Sequence, residues 1–474
     1  MVFPIAGGTQ DTSYEIENSL RFNDDDTAYL NRTRSSQSNT TGTFSVWTKM
    51  GNVGADNILF GGHTDVNNRS YIYFSDPDGY AGIFSRTSGS ADINFATNAR
   101  YRDPSAWYHV VVAIDTTQGT EANRFKMYVN GEQLSSFSAS SYPSQNASLP
   151  ILNQAAQTVG GGYGSSAVSA MAEGYMADAY YVDGTQYAAS DFGETNDNGV
   201  WIPKKFTGSF GTNGFKLEFQ QTGTGTASAS TIGADTGGND NHLTSNNLAA
   251  TDVTTDTPTN NFCTLNPLSA KTLTFSEGNL HATDDGAAGS ATGTIAPTNG
   301  KWYFEITLSG SANFSAGVVN LDDWPSGTDI YSYGEAAAVL IESNANYNVT
   351  YGNTASSPST LQTGTQLLNA TYGFAMDIDN NDLYVSANGN WYTGSAFDNT
   401  SFSSASAVTT DLPSNVPLTA FIRQPDSGTA QCNFGNPAIS ISSGNADANG
   451  YGNFEYAVPS GYYSICTKNL AEFG

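Results

Sequence analysis

Positive charge is scarce: 17 Lys and Arg stand against 44 Asp and Glu, a formal net charge of −27. A surface of that sign repels phosphate backbones and anionic lipid, which argues against a nucleic-acid partner and against a membrane-surface role. Charged residues of both signs make up 13% of the chain, about half the usual share, so the residue mix of a helical bundle is missing. Long apolar runs are missing as well. No stretch approaches the ~20 apolar residues that span a bilayer, so no membrane insertion is expected. The start, Met1-Val2-Phe3-Pro4-Ile5-Ala6-Gly7-Gly8, lacks the basic opening and apolar run of a secretory signal, and export by that route is not expected. Cys263, Cys432 and Cys466 are an odd number with no Cys-x-x-Cys spacing, which predicts neither a disulfide framework nor a zinc site. Histidine is limited to His63, His109, His242 and His281, none beside a Ser or Cys in a nucleophile elbow. His109 lies within an apolar strand and reads as a core histidine.

What is abundant is turn and strand material: Gly 49, Tyr 26 and Phe 25, with dense Ser, Thr and Asn. That composition suits pleated sheets joined by tight turns, so the fold class is all-β. At roughly 100–200 residues per domain, the length predicts two or three domains. From Ser19 to about Val182 short strands alternate with polar turns. Phe44-Ser45-Val46-Trp47-Thr48-Lys49 alternates with period two, placing Phe44, Val46 and Thr48 on one face. Tyr71-Ile72-Tyr73-Phe74 runs into the turn Asp76-Pro77-Asp78-Gly79, and Trp107–Asp115 is apolar enough for a central strand. Arg124–Val129 ends at Asn130-Gly131, a strong hairpin signal, and Gly174–Gly184 closes the block. Between about Gly193 and Asn261 the composition shifts to Gly, Thr, Ser, Asn and Asp, which reads as a connector. Trp201, Phe206, Phe215, Leu217 and Phe219 argue that its first half packs onto a domain. A second β-rich block starts near Phe262, with Lys301–Leu308, Tyr372–Asp379, Leu383–Gly389, Leu418–Ile422 and Gln431–Gly435 as strands and Gly461–Leu470 as a final one.

Leu20-Arg21-Phe22-Asn23, Phe44-Ser45-Val46-Trp47, Trp107-Tyr108-His109-Val110-Val111-Val112, Lys126-Met127-Tyr128-Val129-Asn130-Gly131 and Gly174-Tyr175-Met176-Ala177-Asp178 together resemble the concanavalin A-like lectin/glucanase fold of the laminin-G and pentraxin type. Gly300-Lys301-Trp302-Tyr303-Phe304-Glu305, Gly373–Asn380, Leu383–Gly389 and the late Asn433-Phe434-Gly435 look like a SPRY domain. The resemblances imply two antiparallel β-sandwiches, a lectin-like jelly roll at 19–192 and a SPRY-like domain at 262–474, joined by the connector at 193–261. Residues 1–18 would be a docking segment or an edge strand, with Phe3, Pro4 and Ile5 as an apolar plug. The pair of sandwiches, with Asp252…Asp256-Thr257-Pro258-Thr259-Asn260-Asn261-Phe262 and Pro459-Ser460-Gly461-Tyr462-Tyr463 as joints, is similar to virion proteins of tailed bacteriophages, particularly marine ones. That resemblance implies a tail-fibre, spike or capsid-decoration role, made in the host cytoplasm and carried on the virion. Its partners would be other virion proteins and host-surface glycan, in a homo-oligomer.

A glycosidase needs two carboxylates about 5–5.5 Å apart for retention or ~6.5–9.5 Å for inversion. The lectin fold's glucanase relatives carry them on one strand as a Glu-x-Asp-x-x-Glu run, which this chain lacks. The nearest pairs are Glu15 with Glu17, Glu173 with Asp178, and Asp377 with Asp379; Asp377 and Asp379 read as turn formers at a hairpin, and Glu15 with Glu17 as a solvated edge. No catalytic residue is expected. A glycan depolymerase and a non-viral bacterial surface adhesin are the alternatives to a virion protein. Calcium is the one cofactor the loops suggest, because it takes carboxylate and amide oxygens; Asp24, Asp26 and Asp78 are its candidate ligands. Aromatic rings stack on sugar faces, and Trp324, Trp391, Tyr80 and Tyr163 are the candidate platforms.

Overall fold

A computed structural model describes residues 14–34, 40–51, 56–75, 78–153, 156–164, 167–284, 289–310, 314–324, 336–341, 346–350, 359–363, 369–424 and 428–474. The chain separates into one compact unit that ends at Thr259 and another that runs Asn260–Gly474. The Phe3-Pro4-Ile5 plug, Asp76, Pro77 and Pro325 lie outside the described residues.

In the first unit the strands up to the central hairpins are β1 (Ser19–Phe22), β2 (Tyr29–Thr33), β3 (Thr41–Met50), β4 (Asn57–Asp65), β5 (Asn68–Phe74), β6 (Ala81–Thr87) and β7 (Ser90–Thr97). There follow β8 (Trp107–Asp115), β9 (Phe125–Val129), β10 (Glu132–Gln133), β11 (Phe137–Ser141), β12 (Ala156–Val159), β13 (Gly161–Tyr163), β14 (Val168–Met171) and β15 (Gly174–Asp183). The unit ends with β16 (Gly193–Thr195), β17 (Trp201–Pro203), β18 (Phe215–Leu217), β19 (Thr244–Asn246) and β20 (Val253–Thr254). Among the described residues they form two eight-stranded sheets. One has the order β10-β9-β8-β3-β15-β1-β20, with β18 also on β15; the other has the order β11-β7-β6-β5-β4-β12-β2-β19. The pairings are antiparallel, and the sheets close on one core in which Phe44 stacks on Phe60 at 4.7 Å and Phe95 on Phe125 at 4.4 Å.

The two sheets differ in what their outer sides meet. Strands β3, β8 and β15 are buried almost end to end, the pattern of a sheet covered on both faces. Outside them lie Tyr14, Ile16 and the segment from Tyr187 to Phe210, which cover Trp47, Val111, Ala113, Tyr175, Tyr180 and Val182. Strands β5 and β6 instead alternate buried with half-exposed positions, so their outer side faces solvent.

The cover of the first sheet is held by ions. Lys49 Nζ donates to Asp256 Oδ2 at 2.8 Å with both side chains fully buried, and Trp107 Nε1 donates to Asp256 Oδ1 at 3.3 Å. Ser19 Oγ donates to the Asp256 carbonyl at 2.6 Å, and Ile16 exchanges two hydrogen bonds with Thr259 Oγ1. The start and end of the unit are thereby fastened side by side.

The stretch 193–261 does not behave as a connector. Phe215, Leu217, Phe219, Ile232, Leu243 and Leu248 belong to the first unit's core, and β18, β19 and β20 join its sheets. Apolar periodicity fails there because side chains replace the ladder: Asp235 accepts from the amides of Lys216, Gly237 and Asn241, and Asn239 and Asn241 donate to the carbonyls of Gly211, Thr212 and Gly214.

In the second unit a sheet built on Lys301–Gly310, Ala370–Asp377 and Gly428–Asn433 packs against one built on Phe314–Asn320 and Leu418–Gln424. Its start and end also meet: the Cys263 amide donates to the Ile465 carbonyl at 3.0 Å, and the Thr467 amide donates to the Asn261 carbonyl at 2.9 Å.

Removing one member of a buried ion pair leaves the other charge uncompensated, so Asp256→Ala is expected to cost about 3–5 kcal/mol. The double variant Lys49→Met/Asp256→Leu should recover most of that loss, as read by the melting temperature of the first unit's transition. Equal destabilisation by the single and double variants would show that the pair is not what holds the cover.

Candidate functional site

The outer side of the second sheet gathers several half-exposed aromatic and basic side chains. Ser70, Ile72 and Phe74 of β5 point into the core, so the period of two turns Arg69, Tyr71 and Tyr73 outward. On β6 the same alternation buries Ile83 and turns Phe84 and Arg86 outward. The register places Arg69 opposite Arg86, Tyr71 opposite Phe84 and Tyr73 opposite Gly82. The Tyr71 ring lies 5.5 Å from those of Tyr73 and Phe84, and Tyr73 meets Tyr80 edge-on at 6.0 Å. Gly82 makes room for this array, since a Cβ there would stand 2.7 Å from Tyr73 Cζ. The arginines ride on the rings: Arg69 on Tyr71 and Arg86 on Phe84, each at 5.9 Å, and Arg100 on Tyr80 at 5.4 Å. The hairpin β13–β14 borders the face. There Tyr163 stacks on His63 at 4.5 Å, and Arg69 Nη1 donates to the carbonyls of Tyr163 at 2.6 Å and Gly164 at 2.5 Å.

Burial raises the Tyr71 hydroxyl's pKa, opposed by the positive charges of Arg69 and Arg86. Tyr73 is raised further, by burial and by Tyr80. These phenols therefore stay protonated at neutral pH and can donate as well as accept. Half-exposed rings with hydroxyl and guanidinium groups between them suit a sugar chain, which offers an apolar ring face and hydroxyl edges.

The sequence-derived platforms separate. Tyr80 and Tyr163 are half-exposed and sit at this face. Trp391 was expected to be exposed and is 4% exposed, packed among Tyr303, Phe454 and Tyr462, with Phe402 edge-on at 4.8 Å. The tight turn at Asn388-Gly389, both with positive φ, folds Trp391 back against its own strand partner Ser386. Trp324 is half-buried, packs on Val319 and Phe421, and donates from Nε1 to the Ser269 carbonyl at 3.3 Å. Tyr71, Tyr73 and Phe84 were not singled out by sequence, although the alternation of Asn68–Phe74 carries the signal.

The calcium candidates are dispersed over two turns. Asp26 accepts from Asn23 Nδ2 at 3.0 Å, the Asp24 amide donates to Glu173 Oε2 at 3.1 Å, and Asp78 stands 3.9 Å from the Arg100 guanidinium. Burial and neighbouring Asp25 raise the Asp24 carboxyl's pKa. Among the described residues no three His, Cys, Asp or Glu side chains converge as a metal site. Of the paired carboxylates, Glu173, Asp178, Asp377 and Asp379 accept hydrogen bonds. Asp178, held at φ 46° in a bulge of β15, accepts from Tyr14 Oη at 2.8 Å and Tyr180 Oη at 2.5 Å. Asp377 accepts from Lys301 Nζ at 2.5 Å and from Asn380, and Asp379 accepts from the Gly300 amide at 2.8 Å. Glu15 and Glu17 are exposed on either side of buried Ile16.

His109 is a buried structural group. Trp201 Nε1 donates to its Nδ1 at 3.0 Å, which leaves the proton on Nε2 to donate to Ser45 Oγ at 2.9 Å, and Trp47 stacks on its ring at 4.7 Å. Burial pushes its pKa down to about 3.

A family model described as the concanavalin A-like lectin/glucanases superfamily matches residues 22–179, so this part of the chain is similar to domains of that type. No curated protein matches the chain. Among solved structures, the chain is similar to the SPRY domain of human HERC1 at 15% identity, covering 35% of this chain and 96% of that one with a TM-score of 0.27. It is similar to the TRIM65 PSpry domain at 12% identity, covering 36% and 88%, TM-score 0.27. It is also similar to the native heptameric SAP-like pentraxin from Limulus polyphemus at 14% identity, covering 37% and 80%, TM-score 0.27.

The unfolded chain's histidine takes a proton below about pH 6.5, whereas native His109 resists it until about pH 3. Its contribution to stability is therefore complete above pH 6.5 and is lost as the pH falls toward 3. His109→Gln should flatten the melting-temperature profile across that window; an unchanged profile contradicts the assignment.

Proposed function

We propose that the chain is a non-enzymatic binding protein whose first module holds host-surface glycan through the outer side of its second sheet, displayed on the virion of a tailed bacteriophage as a fibre, spike or decoration component. The observation that carries the binding part is the half-exposed ring array of Tyr71, Tyr73, Tyr80 and Phe84 on a lectin-like sandwich whose other outer side is already covered. A binding rather than hydrolytic role is supported by the carboxylates: Asp178, Asp377 and Asp379 each serve hydrogen bonds that fix local structure. The virion role is supported by the resemblance of the joints around Asp256–Phe262 and Pro459–Tyr463, and by the modular build. Each unit fastens its own start to its own end, so each forms a self-closed cassette suited to display in series. Repetition on a particle would add avidity to a weak single site.

On a glycan array the full chain should bind a subset of bacterial surface polysaccharides. Tyr71→Ala/Phe84→Ala should weaken that binding by about tenfold or more, with little change in melting temperature, because both rings are half-exposed. Mass spectrometry of purified particles should find the chain as a stoichiometric component. Release of reducing ends from bound polysaccharide would refute the non-enzymatic reading, and absence from particles would refute the virion reading.

A further inference from the structure

We propose that the ligand of this face is an acidic polysaccharide, whose sugar rings lie on Tyr71 and Phe84 while a carboxylate or sulfate group is held between Arg69 and Arg86. This deepens the glycan-binding reading and rests on it.

The argument starts from charge. Acids outnumber bases 44 to 17 in this chain, so an accessible arginine should meet a carboxylate easily. Arg69 and Arg86 do not. They stand directly opposite each other on adjacent antiparallel strands, and among the described residues neither comes within 4 Å of an Asp or Glu oxygen. Like charges facing across a strand pair destabilise a sheet, and an anion between them reverses the sign of that interaction.

Hydrogen bonding gives the same direction. Arg69 spends Nη1 on the Tyr163 and Gly164 carbonyls, and Arg86 spends Nη2 on the Gly89 carbonyl at 2.8 Å. These anchors orient the guanidinium groups and leave each with a second terminal nitrogen for a ligand. Planar, pre-oriented guanidinium donors match the paired oxygens of a carboxylate or sulfate. The rings select the rest of the ligand. Tyr71 and Phe84 occupy the next register position on the same face, so an anion at the arginines continues onto a ring pair. A bare polyanion has no apolar face to place there, whereas a uronate or sulfated sugar has one.

The test measures binding of the full chain to four immobilised polymers. Polygalacturonate carries carboxylate on sugar rings, dextran sulfate carries sulfate on them, dextran is neutral, and polyglutamate is charged without rings. The expected result is tighter binding to one or both acidic polysaccharides than to dextran and polyglutamate, with salt weakening it. Arg69→Gln/Arg86→Gln should lower that affinity by about tenfold or more while the melting temperature is kept or raised. Preference for polygalacturonate assigns carboxylate, and preference for dextran sulfate assigns sulfate. Binding to dextran that depends on Tyr71 and Phe84 and is indifferent to the arginine pair overturns the acidic-ligand inference and leaves the glycan-binding reading standing. Equal binding to polyglutamate and the acidic polysaccharides overturns the inference as charge alone. Acidic-polysaccharide binding that survives both the arginine and the aromatic variants overturns inference and reading together, as does failure to bind any polysaccharide.

Discussion

The buried pair of Lys49 and Asp256 is the contact on which the first module's arrangement depends. Strands β3, β8 and β15 are buried on both sides, with Thr43, Ser45, Trp47 and Lys49 along the outer side of β3, so their sheet depends on what covers that side. The cover is a run of short pieces with little regular structure of their own, and a charge taken wholly out of water is what ties its last piece to the sheet. Such a pair gains little net stability against an apolar substitute, but it tolerates no partial match. Its value here is register: Asp256 meets Lys49 and Trp107 only when the chain after β20 runs back along the sheet edge. With that side closed, the second sheet still keeps half-exposed side chains along the outer side of β5 and β6.

The second unit repeats the device with different residues. Glu305 is buried and accepts from Tyr303 Oη, Asn433 Nδ2 and the amides of Glu455 and Tyr456, so a carboxylate again holds late chain over a sheet. Asp447 accepts from Ser464 and Asn469, fastening the end of the chain, where the expected final strand is limited to Tyr463–Ser464 and a helix, Thr467–Phe473, follows. Burial raises the Glu305 pKa, and its backbone hydrogen bonds oppose the rise. In each unit the chain enters and leaves at neighbouring positions, which lets a module be added or exchanged without disturbing the other's core.

Much of this was legible in sequence where a strand's own pattern carries it. The Trp107–Asp115 run reads as central because it is apolar on both faces, and the Asn130-Gly131 turn reads as a hairpin because its residues accept positive φ. His109 was recognisable as a core histidine from its apolar neighbours alone. The reading failed where long-range partners decide. Trp391 looked exposed beside its Asn-Gly turn, yet Phe402, Phe454 and Tyr462, distant in sequence or beyond another turn, close over it. The Gly/Asn-rich stretch looked like a connector because its hydrogen bonds run from side chain to backbone, and such bonds leave no periodic trace. The candidate face was half visible. Tyr80 and Tyr163 stood out at loops, but Tyr71 and Phe84 become neighbours only through the register of β5 with β6.

The most direct test of this account is hydrogen–deuterium exchange on the full chain with and without an acidic oligosaccharide at saturating concentration. The account predicts added protection in Asn57–Thr87 and at the β13–β14 hairpin, with no change in Tyr187–Phe210 over the covered sheet. Protection that appears over the covered sheet and spares Asn57–Thr87 would contradict it.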